Sequence, residues 1–280
     1  MNLLQNYAKF IKLEHTLFSI PLILSGALLA ERGWPSPMSL LLIFLAAGGA
    51  RTFALCLNRI IDRNIDRQNP RTKDRPLANG SMSLLEAWLL AAVSIIIYLA
   101  AAKSLSGFCL KYSWIPLVAF TIYPYFKRFT KWSHIGLGLV WSLIPLSGFF
   151  AVKPAFDGLG AVLMLALFSL FWLAGFDIIY STLDEDFDRE AGLHSLPCAW
   201  GSERALKLSG TFHLISFMVL VVLYGVWLGG PVTVMFLGII GILLYLEQQF
   251  ANYVDLSFFK MNVAIGFAVF FFIWSGLKGV

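Results

Sequence analysis

The chain has 280 residues, a net charge of +5 from 21 Lys and Arg against 16 Asp and Glu, and a hydrophobic share of 59%. A soluble domain is about 45 to 50% apolar, so this composition excludes a water-soluble globule and requires an integral protein of the lipid bilayer. Cys56, Cys109 and Cys198 have no paired spacing and read as core residues, which excludes a disulfide framework and a zinc site.

Apolar stretches of the length that crosses a bilayer, about 20 residues, follow one another to the end of the chain. They fall at Leu17–Ala30 with its flanks, Met38–Leu57, Leu84–Ala102, Leu110–Phe126, Ile135–Val152, Gly158–Tyr180, Leu208–Leu228, Val232–Leu246 and Met261–Leu277. The expected fold is therefore all-α with nine transmembrane helices in a single membrane domain over residues 1–280. No small-residue cleavage site precedes a mature domain, so the first stretch reads as a span and not as a removable leader.

With nine spans, fifteen basic residues fall on one side: Lys9, Lys12, Arg59, Arg63, Arg67, Arg71, Lys73, Arg75, Lys127, Arg128, Lys131, Arg189, Arg204, Lys207 and Lys260. Five lie opposite, namely Arg32, Lys103, Lys111, Lys153 and Lys278, and Arg51 sits inside a span. The positive-inside bias places the N-terminus and that side in the cytoplasm, as in a bacterial-type inner membrane. This topology accounts for the net charge without any nucleic-acid partner.

Asn58, Asp62 and Asp66 step by four residues along the end of the second span. Tyr180, Asp184 and Asp188 repeat that row 122 positions later, at the end of the sixth. A step of four keeps each row on one side of a helix. Carboxylates at membrane depth are costly and mark functional sites. Spans two and six run in the same direction, so the offset predicts two parallel four-helix pseudo-repeats, spans 1–4 and 5–8, plus one helix, with the rows facing across a central cavity. The loops at 67–83 and 190–203 are long and read as lids or binding loops.

Carboxylates with no His or Cys beside them are hard oxygen ligands that suit Mg²⁺, which binds through a few carboxylates together with substrate phosphates. Arg71, Lys73 and Arg75 follow the first row, and Lys127 and Arg128 end the fourth span. Acid rows beside basic loops describe a diphosphate site.

The string Asn58-Arg-Ile-Ile-Asp62-Arg-Asn-Ile-Asp66, followed by Arg71-Thr-Lys-Asp-Arg75-Pro76-Leu77 and Gly80, resembles the first signature of the UbiA superfamily of intramembrane prenyltransferases. Asp177-Ile-Ile-Tyr180-Ser-Thr-Leu-Asp184-Glu-Asp-Phe-Asp188 resembles its second, and Tyr123-Pro-Tyr-Phe-Lys127-Arg128 is similar to the basic segment ending its fourth helix. The resemblance covers nearly the whole chain. It implies Mg²⁺-dependent transfer of a polyprenyl group from polyprenyl diphosphate to an aromatic acceptor, with Asp62, Asp66, Asp184 and Asp188 as catalytic metal ligands. Lys127, Arg128 and Arg71 or Arg75 would bind the diphosphate, beside Asn58 and Tyr180.

The acceptor expected is a hydroxylated aromatic carboxylic acid of ubiquinone or menaquinone synthesis. The strings Lys12-Leu-Glu14-His15-Thr-Leu-Phe18 and Gly192-Leu-His-Ser195-Leu-Pro197 resemble the 4-hydroxybenzoate polyprenyltransferase-like branch. Part of that branch serves menaquinone synthesis by the futalosine route, with 1,4-dihydroxy-6-naphthoate. Arg51, seven residues before Asn58, could pair with the acceptor carboxylate. Arg51 and Asp177 are open to two readings, a structural ion pair or substrate contacts.

Other residues have plainer readings. Arg59, Arg63 and Arg67 read as positive-inside anchors, and His15, His134, His194 and His213 as non-ligands. Glu185, Asp186 and Glu190 read as solvated. A cation-coupled transporter is the alternative function, since carboxylates at a repeat interface also bind coupling ions. Such sites favour helices broken at mid-membrane, whereas these rows stand at span ends among basic residues.

Overall fold

The computed structural model of the chain describes residue 10, residues 19–253 and residues 256–279. Lys9 and the string from Lys12 to Phe18 lie outside the described residues. Every regular element among those described is helical. In chain order they are α1 (Ser19–Glu31), α2 (Pro37–Ile61), α3 (Arg63–Gln68), α4 (Leu84–Leu105), α5 (Gly107–Tyr112), α6 (Trp114–Ile122) and a 3-10 turn (Tyr123–Arg128). There follow α7 (Ser133–Val152), α8 (Gly160–Ser181), a 3-10 turn (Thr182–Asp184), α9 (Glu185–Glu190), α10 (Leu196–Trp200), α11 (Ser202–Trp227), α12 (Pro231–Gln249), a π-helical turn (Leu256–Met261) and α13 (Asn262–Lys278).

Seven of the described helices are long and apolar enough to cross a bilayer: α2, α4, α7, the run Gly160–Glu190, α11, α12 and the run Phe259–Lys278. The protein is an integral, multi-pass membrane protein. The other two expected spans have a different form. The first is the 13-residue α1, and the fourth is divided at Ser113 between α5 and α6. Pro116 lies three residues past that break and has no N–H to continue the ladder. The Ser113 carbonyl at the break accepts from the Tyr98 hydroxyl of α4 at 3.0 Å.

The described residues pack as two compact units, one of Phe10 with residues 36–126, the other of residues 19–35 and 127–279. This is not the expected grouping of spans 1–4 and 5–8, because α1 packs with α7. The physical reason is a reciprocal pair of glycines. A Cβ on Gly26 would overlap the Pro145 carbonyl, and one on Gly148 would overlap the Ile23 carbonyl, so the two backbones touch where neither has a side chain. Small residues serve this purpose in membranes, where lipid is as apolar as the helices and packing must drive association.

In the first unit α2 meets α4 in the same way, with an added Cβ on Gly49 falling 2.7 Å from the Ser94 carbonyl oxygen. Below that contact Phe10, Cys56, Leu77, Met82, Ala87 and Ala91 form one buried cluster. Ser83 and Glu86 start α4 with a reciprocal capping box, the Ser83 N–H donating to Glu86 Oε2 at 2.6 Å and the Glu86 N–H to Ser83 Oγ at 3.1 Å.

In the second unit α8 is the central helix, with Leu165, Phe168, Trp172 and Leu173 fully buried. A polar cluster crosses this apolar core. Trp172 Nε1 donates to Asn262 Oδ1 and Asn262 Nδ2 to Glu247 Oε1, both at 2.8 Å. Gln248 Nε2 reaches Ser209 Oγ at 2.7 Å and His213 Nδ1 at 2.9 Å, and Ser209 donates to the Gly175 carbonyl at 2.7 Å. His213 fits only because Gly175 has no Cβ, which would overlap the imidazole.

Adjacent glycines give a test of these close approaches. Gly49→Ala should destabilise the protein by about 1 to 3 kcal/mol, since backbone must yield to the new methyl. Gly48→Ala meets nothing within 4 Å and should be neutral or stabilising by up to about 1 kcal/mol through helix propensity. Thermal unfolding of the two variants in one detergent distinguishes them.

Candidate active site

The first row lies where α2 passes into α3. The Asp62 N–H donates to the Asn58 carbonyl at 2.9 Å and the Asp66 N–H to the Asp62 carbonyl at 2.8 Å. The i to i−4 ladder thus continues across the junction, and the three residues keep one side. Asn58 Nδ2 approaches Asp62 Oδ2 at 3.4 Å. Asp62 and Asp66 are only 2% and 5% exposed.

The 67–83 loop, expected to be a lid or a binding loop, is a packed structure. Leu77, Ala78 and Met82 are buried, Arg67 Nε donates to the Ala78 carbonyl at 3.1 Å, and Asn69 Oδ1 accepts the Arg71 N–H at 2.8 Å. Its product is the placement of Arg75. The Arg75 guanidinium gives Nη1 to both oxygens of Asp66, at 2.8 and 2.9 Å, while Thr72 Oγ1 donates to the Asp66 carbonyl at 3.2 Å. Arg75, expected on phosphate oxygens, therefore has an acid-row partner of its own. Arg71 and Lys73 are exposed. Arg51 stands two helical turns before Asn58 on α2, half-buried.

Arg59, read from sequence as a positive-inside anchor, has specific partners. It is buried, donates from Nε to the Phe10 carbonyl at 3.1 Å and lies 5.8 Å from the centroid of the Phe10 ring.

The second row lies where α8 tightens into the turn Thr182–Asp184 and continues as α9. Hydroxyls of Ser181 and Thr182 bond back to the carbonyls of Ile178 and Ile179 at 2.8 and 2.7 Å, occupying acceptors that the ending helix leaves open. Tyr180, Asp184 and Asp188 are half-buried. The Asp188 carbonyl accepts the Leu193 N–H at 2.8 Å, and its carboxylate lies within electrostatic reach of Ser195, Asp184, Lys127 and His134. Lys127 is half-buried and Arg128 exposed.

Asp177, one turn before Tyr180, bonds through Oδ2 to His134 Nδ1 at 2.7 Å. His134, read from sequence as a non-ligand, is thus engaged beside the second row. Glu185 also differs from its solvated reading, since Arg189 donates to it at 2.9 Å and Ser202 donates to its other oxygen. Asp186 and Glu190 are exposed, as expected. Among the described residues no three His, Cys, Asp or Glu side chains converge into a ready-made ion site.

The model of the UbiA prenyltransferase family matches residues 19–275. The chain belongs to the UbiA prenyltransferase family. As a member it is a prenyltransferase, an enzyme that transfers an isoprenoid group. The 4-hydroxybenzoate octaprenyltransferase of Shewanella sp. (strain ANA-3) is 28% identical over 225 residues, 78% of this chain and 77% of that protein. Its namesake in Legionella pneumophila (strain Lens) is 30% identical over 201 residues, 71% of this chain and 67% of that protein. Among solved structures, the apo UbiA homolog from Aeropyrum pernix K1 superposes with a TM-score of 0.82 at 34% identity, covering 91% of this chain and 95% of that one. A UbiA homolog from Archaeoglobus fulgidus, solved bound to GPP and Mg²⁺, shares the fold with a TM-score of 0.72 at 20% identity over 98% of both chains.

In this UbiA member, Asp62→Asn and Asp184→Asn each remove a charge without changing volume. Each should lower the rate of prenyl transfer by at least about 100-fold, the order of losing one group that stabilises transition-state charge. The yield of folded protein in detergent should stay near wild type. Product formation and size-exclusion profiles measured on the same preparations check both halves.

Proposed function

We propose that the chain, acting as one functional domain, transfers a polyprenyl group from polyprenyl diphosphate to a hydroxylated aromatic carboxylic acid in an Mg²⁺-dependent reaction of quinone synthesis. The observation that carries this reading is that each compact unit couples an acid row to a basic side chain of its own. Arg75 grips Asp66 of the first row, and Lys127 lies within electrostatic reach of Asp188 of the second. An acid row meant only to bind a cation gains nothing from a guanidinium on its carboxylate. A site for a metal–diphosphate complex needs both signs.

The donor set fits Mg²⁺. Asp62, Asp66, Asp184 and Asp188 offer hard oxygens, and Mg²⁺ takes one or two carboxylates, substrate phosphates and water rather than a full protein cage. When bound, Mg²⁺ supplies charge neutralisation on the departing diphosphate. Lys127, Arg128, Arg71 and Arg75 would bind phosphate oxygens, and Asn58 and Tyr180 would orient them. Exclusion of water would protect the allylic carbon once its C–O bond breaks. Its new C–C bond forms at a ring carbon activated by the acceptor hydroxyl, and that ring carbon then loses its proton. Arg51 would pair with the acceptor carboxylate, and the half-buried Asp177 would contact substrate through the edge not held by His134.

The names of the relatives support 4-hydroxybenzoate as acceptor, while local resemblance supports 1,4-dihydroxy-6-naphthoate; both carry a carboxylate and a ring hydroxyl. We place the site and the N-terminus on the cytoplasmic side of a bacterial-type inner membrane from the distribution of Lys and Arg.

Membranes containing the chain, given Mg²⁺, a labelled polyprenyl diphosphate and a panel of phenolic acids, should yield prenylated acid and lose all activity with chelator. Chelator-resistant transfer, or no transfer to any acid, would overturn the proposal. Arg51→Leu should raise the KM of the acid by about tenfold or more, as expected for losing roughly 1.5 to 3 kcal/mol of charged hydrogen bonding, with the KM of the diphosphate unchanged. If the wild type prenylates the decarboxylated phenol as well as the acid, the carboxylate has no anchor.

A further inference from the structure

The segment from Leu193 to Trp200, between the second acid row and α11, lies along residues 127–134 and is fastened to them at several points. The His194 N–H donates to the Lys127 carbonyl at 2.7 Å, and the Leu196 N–H donates to His134 Nε2 at 3.3 Å. At the far end Trp200 meets Trp132 edge to face at 5.6 Å, with Lys131 Nζ 4.6 Å from the Trp200 ring centroid. Leu193, Ser195, Leu196 and Pro197 are buried. Ser195 is the N-cap of α10, accepting the Cys198 N–H at 3.3 Å, and its hydroxyl lies beside Asp188, whose carbonyl accepts the Leu193 N–H at 2.8 Å. The strap therefore holds the backbone of Asp188 through Leu193 and that of Lys127 through His194.

His134 is the side chain that fixes the strap from below. A backbone N–H can only donate, so Nε2 is the acceptor from Leu196 and the ring proton resides on Nδ1, directed at Asp177 Oδ2 2.7 Å away. His134 is buried, and both ring nitrogens are committed, one to α8 and one to the strap residue next to Ser195. We propose that His134 is a positioning residue for the prenyl-transfer site: held by Asp177, it sets the height of the strap and thereby the placement of Asp188 and Lys127. It touches neither substrate nor metal in this scheme. The inference rests on the function proposed above and identifies how the second row of that site is held. Outer partners of metal ligands matter on this scale, with losses of about 10- to 100-fold in metal affinity or activity when they are removed.

The test uses the full chain in nanodiscs. His134→Leu removes donor and acceptor, His134→Gln keeps one of each, and Ser195→Ala removes the α10 cap whose hydroxyl lies beside Asp188. Mn²⁺ binding in the presence of a non-reacting thio-analogue of polyprenyl diphosphate is followed by electron paramagnetic resonance, alongside steady-state KM values for both substrates. In the Leu and Ala variants the Mn²⁺ dissociation constant and the diphosphate KM should rise about 10- to 100-fold, with the KM of the aromatic acid moving less than about threefold. The Gln variant should stay within about threefold of wild type in all of them. A merely structural role would lower the yield of folded protein and leave these constants alone in what remains.

Wild-type Mn²⁺ affinity and diphosphate KM in folded His134→Leu would overturn the inference. So would a Gln variant as impaired as the Leu variant. Should His134→Leu fail to fold, Ser195→Ala decides, and unchanged constants there overturn the relay. If the wild type itself transfers no prenyl group, the functional proposal fails. A wild type that transfers while the variants keep its constants removes the positioning role alone.

Discussion

A carboxylate taken out of water has to be met by a cation or by donors, and the grip of Arg75 on Asp66 is the contact on which the first acid row depends. Both oxygens of Asp66 accept from one nitrogen of the guanidinium, a charge-assisted arrangement of the strong kind. Removing one partner from such a buried pair costs about 3 to 5 kcal/mol, because the other charge stays behind. A carboxylate has about four lone-pair directions, so Asp66 can keep Arg75 and still present an edge to a metal ion. The turns between α3 and α4 follow from this requirement. They bring back a side chain nine residues away, held by Thr72 on the Asp66 carbonyl and Arg67 on the Ala78 carbonyl, with Leu77, Ala78 and Met82 buried beneath.

The second row is held by a different kind of connection. The segments on either side of it are joined from far along the chain, His134 lying 43 residues before Asp177 and 62 before Leu196. The first row is braced by its own following loop and the second by segments that tertiary folding brings together. Two rows with the same spacing thus have separate mechanical supports, which lets each be altered without disturbing the other's scaffold.

The scaffold beneath both obeys the rule that packing and polar contacts associate helices where water cannot drive them together. Gly26 and Gly148 join α1 to α7 by backbone contact, and Gly49 joins α2 to α4. In the second unit a chain of hydrogen bonds from Trp172 through Asn262 to Glu247, with Gln248, Ser209 and His213 beside it, ties α8, α11, α12 and α13. Each polar group there would be expensive in lipid without its partner, so the cluster gives this packing its register.

The sequence by itself determined the membrane class, most of the spans, the two acid rows and the family. All of these rest on quantities local to the chain: apolar length against bilayer thickness, and a step of four against a helical turn. Only the tertiary structure decided that α1 packs with α7, that Arg75 grips Asp66, that Arg59 is buried against Phe10, and that His134 joins Asp177 to the Leu196 N–H. Nothing in the spacing of His134 and Asp177 marks them as neighbours. A side chain's partner depends on which helices come to touch, and that is chosen by small residues and backbone contacts between segments distant in the chain.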